Sequence, residues 1–186
     1  MDNNTIQPSA FLQIAARFGL FIGIAAAVAM FATLYSIDTP MLMILAIIGF
    51  VGVPVILWRA LSKVMDLTAG TASFAHLWRT GTLAMSAGGL ILAIISFVIL
   101  KWIDPDFMSG MIEQINEAYT KLGTPEATEK LAEINKAIEE NGFPTSAELS
   151  LQLFVSTVLS GSVVSIAMAA FLRARANRFR NTPPAF

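Results

Sequence analysis

The chain has 186 residues, 55% of them hydrophobic and only 13% charged, with a formal net charge of −1. A soluble surface carries roughly twice that density of charge, about 25%, and so neutral a balance offers no electrostatic basis for binding nucleic acid. Cysteine is absent, which excludes disulfides, thiolate metal sites and cysteine nucleophiles together.

From the amino end, Met1 to Arg17 is polar with a single basic residue, and Phe18 to Ile37 then contains no Asp, Glu, Lys, Arg or His. That stretch exceeds the roughly 7–15-residue apolar core of a signal peptide, so a retained anchor is expected. Three further stretches are equally free of charge: Thr39 to Trp58, Thr80 to Leu100, and Leu149 to Leu172. A helix needs about 20 apolar residues to cross some 30 Å of hydrocarbon, and it satisfies its backbone hydrogen bonds internally as lipid requires. The sequence therefore predicts an all-α integral membrane four-helix bundle, one membrane domain over 1–186. Its spans are placed near 14–37, 40–60, 75–102 and 147–173.

Capping chemistry marks the element starts. Thr39 and Pro40 read as an N-cap and first-turn proline for span two. Pro54 lies inside that span and predicts a kink near Phe50. All three tryptophans stand beside a cation at a span end: Trp58 with Arg59, Trp78 with Arg79, Trp102 with Lys101. Between spans three and four, residues 104–144 form the only sizeable polar insertion. Asp104-Pro105 and Thr124-Pro125 read as two helix starts, and Gly142 with Pro144 as a stop. Met108, Met111, Ile112, Ile115, Tyr119 and Leu122 fall at helical spacing, as do Ala127, Leu131, Ile134 and Ile138. A short amphipathic helical hairpin lying over the outer mouth of the bundle is predicted. Thr145 and Glu148 have the capping-box spacing that opens span four.

Orientation follows from the cations. Arg17, Arg59, Lys63, Arg79, Arg173, Arg175, Arg178 and Arg180 fall on one side, and only Lys101, Lys121, Lys130 and Lys136 on the other. The positive-inside rule puts the larger set in the cytoplasm, with both termini, and the hairpin outside. Arg59, Lys63, Arg79, Arg173, Arg175, Arg178 and Arg180 are thus the expected topology determinants. The segment from Lys101 to Glu148 carries ten acids against four lysines. Glu129, Glu133 and Glu140 make it a candidate surface for a basic partner.

Small residues recur every four positions in span one (Ala15, Gly19, Gly23, Ala27) and span four (Thr157, Gly161, Ser165, Ala169). That spacing puts each set on one helix face, where backbones approach closely. Gly19, Gly23, Ala27, Gly161, Ser165 and Ala169 are therefore the helix-packing candidates. Packing within the bundle is the first reading and homo-oligomerisation the second.

No catalytic, cofactor or metal site emerges. The spans lack the ionisable residues on which proton pumps and voltage sensors depend. The one histidine, His76, lies at the cytoplasmic end of span three, and Ser96 is twenty residues further along, about 30 Å in a helix. A serine nucleophile needs its base within hydrogen-bond reach, so that pairing is set aside. Asp104 and Asp106 lack the spaced oxygen ligands of an EF-hand and are read as capping residues. The tail arginines are read as an orientation signal rather than an anionic-lipid site.

The proline-opened second span, Thr71-Ala-Ser-Phe-Ala75, Thr80-Gly81, a glycine-bearing third span ending in Trp102-Ile-Asp-Pro-Asp-Phe107, the acidic loop and the basic tail resemble a bacterial family. It is the domain of unknown function 4199, typical of Bacteroidota inner membranes. The resemblance covers most of the chain and implies a multi-pass inner-membrane protein. It supplies no catalytic residues. The functional expectation is a non-catalytic structural or accessory subunit, in contact with the lipid bilayer and with another membrane or periplasmic protein. The alternative is a small oligomeric channel or transporter for a neutral or apolar solute, for which the serines of span four, Ser156, Ser160 and Ser165, are the nearest approach to a polar stripe.

Overall fold

The computed structural model describes residues 8–36 and 39–181. Six helices follow in order: α1 (Pro8–Tyr35), α2 (Leu42–Leu67), α3 (Phe74–Val98), α4 (Phe107–Leu122), α5 (Pro125–Asn141) and α6 (Ser146–Asn181). A π-helical turn, Ile99–Ile103, continues α3. No strand occurs among the described residues, and α1, α2, α3 and α6 are each long and apolar enough to cross a membrane. The predicted end of span one, at position 37, lies outside the described residues.

The chain divides into two compact units, Met1–Ala93 with Gln152–Phe186, and Ile94–Leu151. The first unit is built inside-out relative to a soluble bundle. Its large apolar side chains, such as Ile44, Ile48 and Phe50 of α2 and Leu159, Val163 and Phe171 of α6, are exposed. Many of its helix contacts are made by small residues. Lipid tails are as apolar as leucine, so burying a large side chain between helices gains little over leaving it in lipid, and close backbone approach dominates instead. Glycines supply that approach. A Cβ built on Gly19 would stand 2.6 Å from the Ala87 Cβ, and one on Gly23 would stand 2.6 Å from the Gly88 carbonyl oxygen, so α1 rests directly on α3. Gly49 of α2 meets Ala25 and Ala29 of α1 in the same way, and Gly81 of α3 meets Ser165 of α6. Larger residues fill one end of the unit, where Ile14, Leu61, Val64, Leu77 and Leu172 form a buried cluster.

The α2–α3 connection is held by local chemistry. Gly70 N–H bonds to the Met65 carbonyl at 2.8 Å and Ala69 N–H to the Asp66 carbonyl at 3.1 Å, the two bonds of a Schellman cap. Ala69 occupies the left-handed position with φ 48°, where an L side chain is disfavoured. Ser73 then caps α3, accepting from the His76 N–H at 3.2 Å.

In the second unit, α4 and α5 pack against each other across Gly123-Thr124. Thr124 accepts from the Ala127 N–H at 3.2 Å and Pro125 opens α5, as the sequence predicts. Thr145 and Glu148 form the predicted capping box: Thr145 N–H donates to Glu148 Oε2 at 2.7 Å and Glu148 N–H to Thr145 Oγ1 at 3.2 Å.

One predicted start is corrected. The backbone carbonyls of Thr39 and Pro40 accept from Leu42 and Met43, and α2 begins at Leu42 without a side-chain cap. The tight turn through Pro40 and Met41 satisfies the first N–H groups in place of the threonine hydroxyl. Asp104 donates its N–H to the Ile99 carbonyl at 2.9 Å, closing the π turn, and its own carbonyl accepts from the Phe107 N–H at 3.3 Å, where α4 begins. Pro54 sits inside α2, which continues through it to Leu67.

Candidate functional site

The six packing candidates are all buried: Gly19, Gly23 and Ala27 in α1, and Gly161, Ser165 and Ala169 in α6. Gly19 and Gly23 face α3 of the same chain, and Gly161 faces the Met85 side chain, where an added Cβ would stand 2.6 Å from three of its carbons. Both small-residue ridges are thus used within the bundle. Ser165 donates to the Gly161 carbonyl at 2.7 Å, and Ser160 to the Ser156 carbonyl at 2.7 Å. Hydroxyls turned back onto their own helix carbonyls leave little to line a polar path.

A polar seam joins α3 to α6. Trp78 Nε1 donates to Ser162 Oγ at 3.3 Å, and Thr82 Oγ1 lies 3.4 Å from the same oxygen. Trp78 was expected only as a headgroup anchor. Its indole also ties two helices together, a pairing between residues 84 positions apart that spacing along one helix cannot reveal.

The cations divide into distinct roles. Arg59, Lys63, Arg79 and Arg175 are exposed. Arg173 is half-buried and donates from Nη1 to the Ala72 carbonyl at 2.9 Å, fastening α6 to the connection between α2 and α3. Arg175 lines a cavity of about 300 Å³ between α2 and α6 with Trp58, Ser62 and Asp66. Lys63 lines a second cavity, of about 470 Å³, with Arg17 and residues of α1. The side chains of Arg178 and Arg180 lie outside the described residues.

The serine that pairs with His76 is one the sequence reading passed over. Ser73 Oγ lies 3.0 Å from His76 Nδ1 while accepting the His76 N–H, and the imidazole stacks on Phe11 with ring centroids 5.5 Å apart. The signal was present: a serine three residues before His76 has N-cap spacing. The geometry is that of a cap, since both polar functions of the hydroxyl are engaged within one helical turn. Among the described residues no group of three or more His, Asp or Glu converges as a metal site would require. Ser96 is fully buried, and its hydroxyl has no hydrogen-bond partner there.

The hairpin carries the remaining candidates. Glu129, Glu133 and Glu140 are exposed on α5, and Glu140 pairs with Lys136 only at 3.8 Å. Beneath this acidic face the apolar stripes are incompletely covered. No residue of α4 is buried, Met108, Met111, Ile112 and Ile115 are half-buried, and Leu122 is 64% exposed. Among the described side chains of α5 only Ala127 is buried.

A family model described as "Protein of unknown function (DUF4199)" matches residues 17–174. No curated protein and no solved structure matches the chain.

Proposed function

Because the chain belongs to the DUF4199 family of proteins of unknown function, we propose its role from its own surfaces: a non-catalytic accessory subunit of an inner-membrane assembly that engages a partner through the α4–α5 hairpin. The observation that carries this reading is the incompletely covered apolar stripe of α4, in which Leu122 is exposed and no residue is fully buried. An amphipathic helix that packed only as a cap would hide that stripe, since apolar area left in water forgoes about 25 cal/mol per Å². The exposed Glu129, Glu133 and Glu140 beside it suit a basic partner and disfavour anionic headgroups. In this reading the cation-rich helix ends and both termini are cytoplasmic and the hairpin is periplasmic. The channel alternative gains no support from Ser160 and Ser165, whose hydroxyls bond to carbonyls of their own helix.

Replacing residues 109–141 with a short flexible linker tests the proposal. The variant should insert and remain thermally stable in detergent, while losing proteins that co-purify with the parent in mild detergent. Charge reversal at Glu129, Glu133 and Glu140 should weaken the same association, most at low salt where screening is least. A linker variant that retains every partner of the parent would remove the hairpin from the function.

A further inference from the structure

The cavity between α1 and α2 differs in its charge from the cavity between α2 and α6. Its volume is about 470 Å³, within the roughly 300–1,000 Å³ of ligand pockets. Arg17 of α1 and Lys63 of α2 both line it, and no carboxylate does. Neither cation has an ion-pair partner among the described residues. Asp66 stands only three positions from Lys63 on α2, yet it lines the smaller cavity, with Arg175. That second cavity therefore contains both signs of charge, and the larger one only positive charge.

The cavity's depth is set by sequence. Arg17 immediately precedes the first charge-free stretch, and Lys63 follows the second, which ends at Trp58. Both lie where a bilayer changes from headgroup to hydrocarbon. Phe18 and Phe21 continue the wall from Arg17 into the apolar span, with Ile14 and Leu67 completing it. Two cations from different helices, without an ion pair among the described residues and above an aromatic wall that runs into the hydrocarbon, match one kind of ligand: a phosphate ester with net negative charge and an acyl chain attached.

We infer that this cavity binds an anionic glycerophospholipid. Its phosphodiester lies between Arg17 and Lys63, and the start of an acyl chain lies against Phe18 and Phe21. Guanidinium supplies a planar fork for phosphate oxygens, and ammonium a compact charge beside it. The bound lipid fills the groove between α1 and α2 and neutralises two cations that have no ion-pair partner among the described residues. This inference is independent of the hairpin's role.

The test uses the full chain, delipidated in detergent and titrated with dioleoylphosphatidylglycerol, dioleoylphosphatidylcholine or inorganic phosphate. Binding is read by native mass spectrometry and by thermal stability. Each cation near a membrane surface is worth about a factor of five, so the parent should prefer phosphatidylglycerol over phosphatidylcholine roughly thirtyfold. The double variant Arg17→Gln with Lys63→Gln should lose that preference, and Arg79→Gln, outside the cavity, should keep it. Should the double variant fold poorly, the single variants Arg17→Gln and Lys63→Gln take its place, each expected to lower the preference about fivefold, and a folded single variant that keeps the full preference overturns the inference. Equal binding of the two lipids by the parent overturns the inference. So does a folded double variant that keeps the preference, or an Arg79→Gln variant that loses it equally. Displacement of phosphatidylglycerol by millimolar inorganic phosphate overturns the lipid assignment and makes the ligand free phosphate.

Discussion

Ala69 shows how a single backbone torsion can matter in a protein whose helices are otherwise regular. It holds φ 48° at the Schellman position that ends α2, where glycine is the usual occupant. The left-handed conformation costs an L residue about 1–2 kcal/mol, and glycine's extra freedom in the unfolded chain returns roughly 0.5–1 kcal/mol of that. Ala69→Gly should therefore stabilise the protein by up to about 1 kcal/mol, measured as a raised unfolding midpoint in detergent. A lowered midpoint would mean that the alanine methyl makes a contact worth more than the torsion. Arg173 acts at the same connection through a different force, donating to the Ala72 carbonyl at 2.9 Å. Capping residues were legible in sequence where donor and acceptor are three residues apart, as at Thr124 with Ala127 and Thr145 with Glu148. The π turn before α4 was not legible, because the Asp104 N–H that closes it bonds to the Ile99 carbonyl five residues earlier.

Among the helices, close approach comes from glycines that remove side chains, beside buried clusters of larger residues such as Ile22, Leu57 and Leu61. Gly23 illustrates the constraint: any Cβ there would lie 2.6 Å from both the Gly88 carbonyl oxygen and the Ile91 Cβ. Overpacking a core typically costs about 1–3 kcal/mol, and a branched side chain against backbone belongs at the upper end or beyond. Gly23→Ile should accordingly cost about 3 kcal/mol, seen as a marked loss of thermal stability in detergent. Gly52 supplies the contrast, since nothing lies within 4 Å of an added Cβ. Gly52→Ala should be neutral or stabilising by up to about 1 kcal/mol through helix propensity. Equal losses at both positions would show that helix approach is not what Gly23 provides. The four-residue recurrence identified these ridges in the sequence, because one helix face is a local property. Which helix each ridge meets was not readable, and neither was the partner role of Gly49, Gly81 and Gly88.

For the whole molecule, the proposed orientation makes a direct prediction in a cysteine-free background. A cysteine at Ser109, exposed on the hairpin, should react with a membrane-impermeant thiol reagent added from the periplasmic side. One at Asn177, in the last turns of α6, should react only after the cytoplasmic side is opened. The opposite pattern would invert the topology. What the sequence by itself determined is whatever depends on distance along one chain segment: four apolar helices of membrane length, the small-residue faces, the cation bias and the caps at Thr124 and Thr145. Hydrocarbon thickness and helical rise convert composition into spans without reference to any neighbour. Only the tertiary structure decided which cations stand together, placing Arg17 beside Lys63 in one cavity and Arg175 with Asp66 in another, and turning Arg173 into a clamp. The physical reason is that these groupings join residues from different helices. Their proximity is set by which glycine faces allow two backbones to meet, and that complementarity is a property of helix pairs that no single stretch of sequence contains.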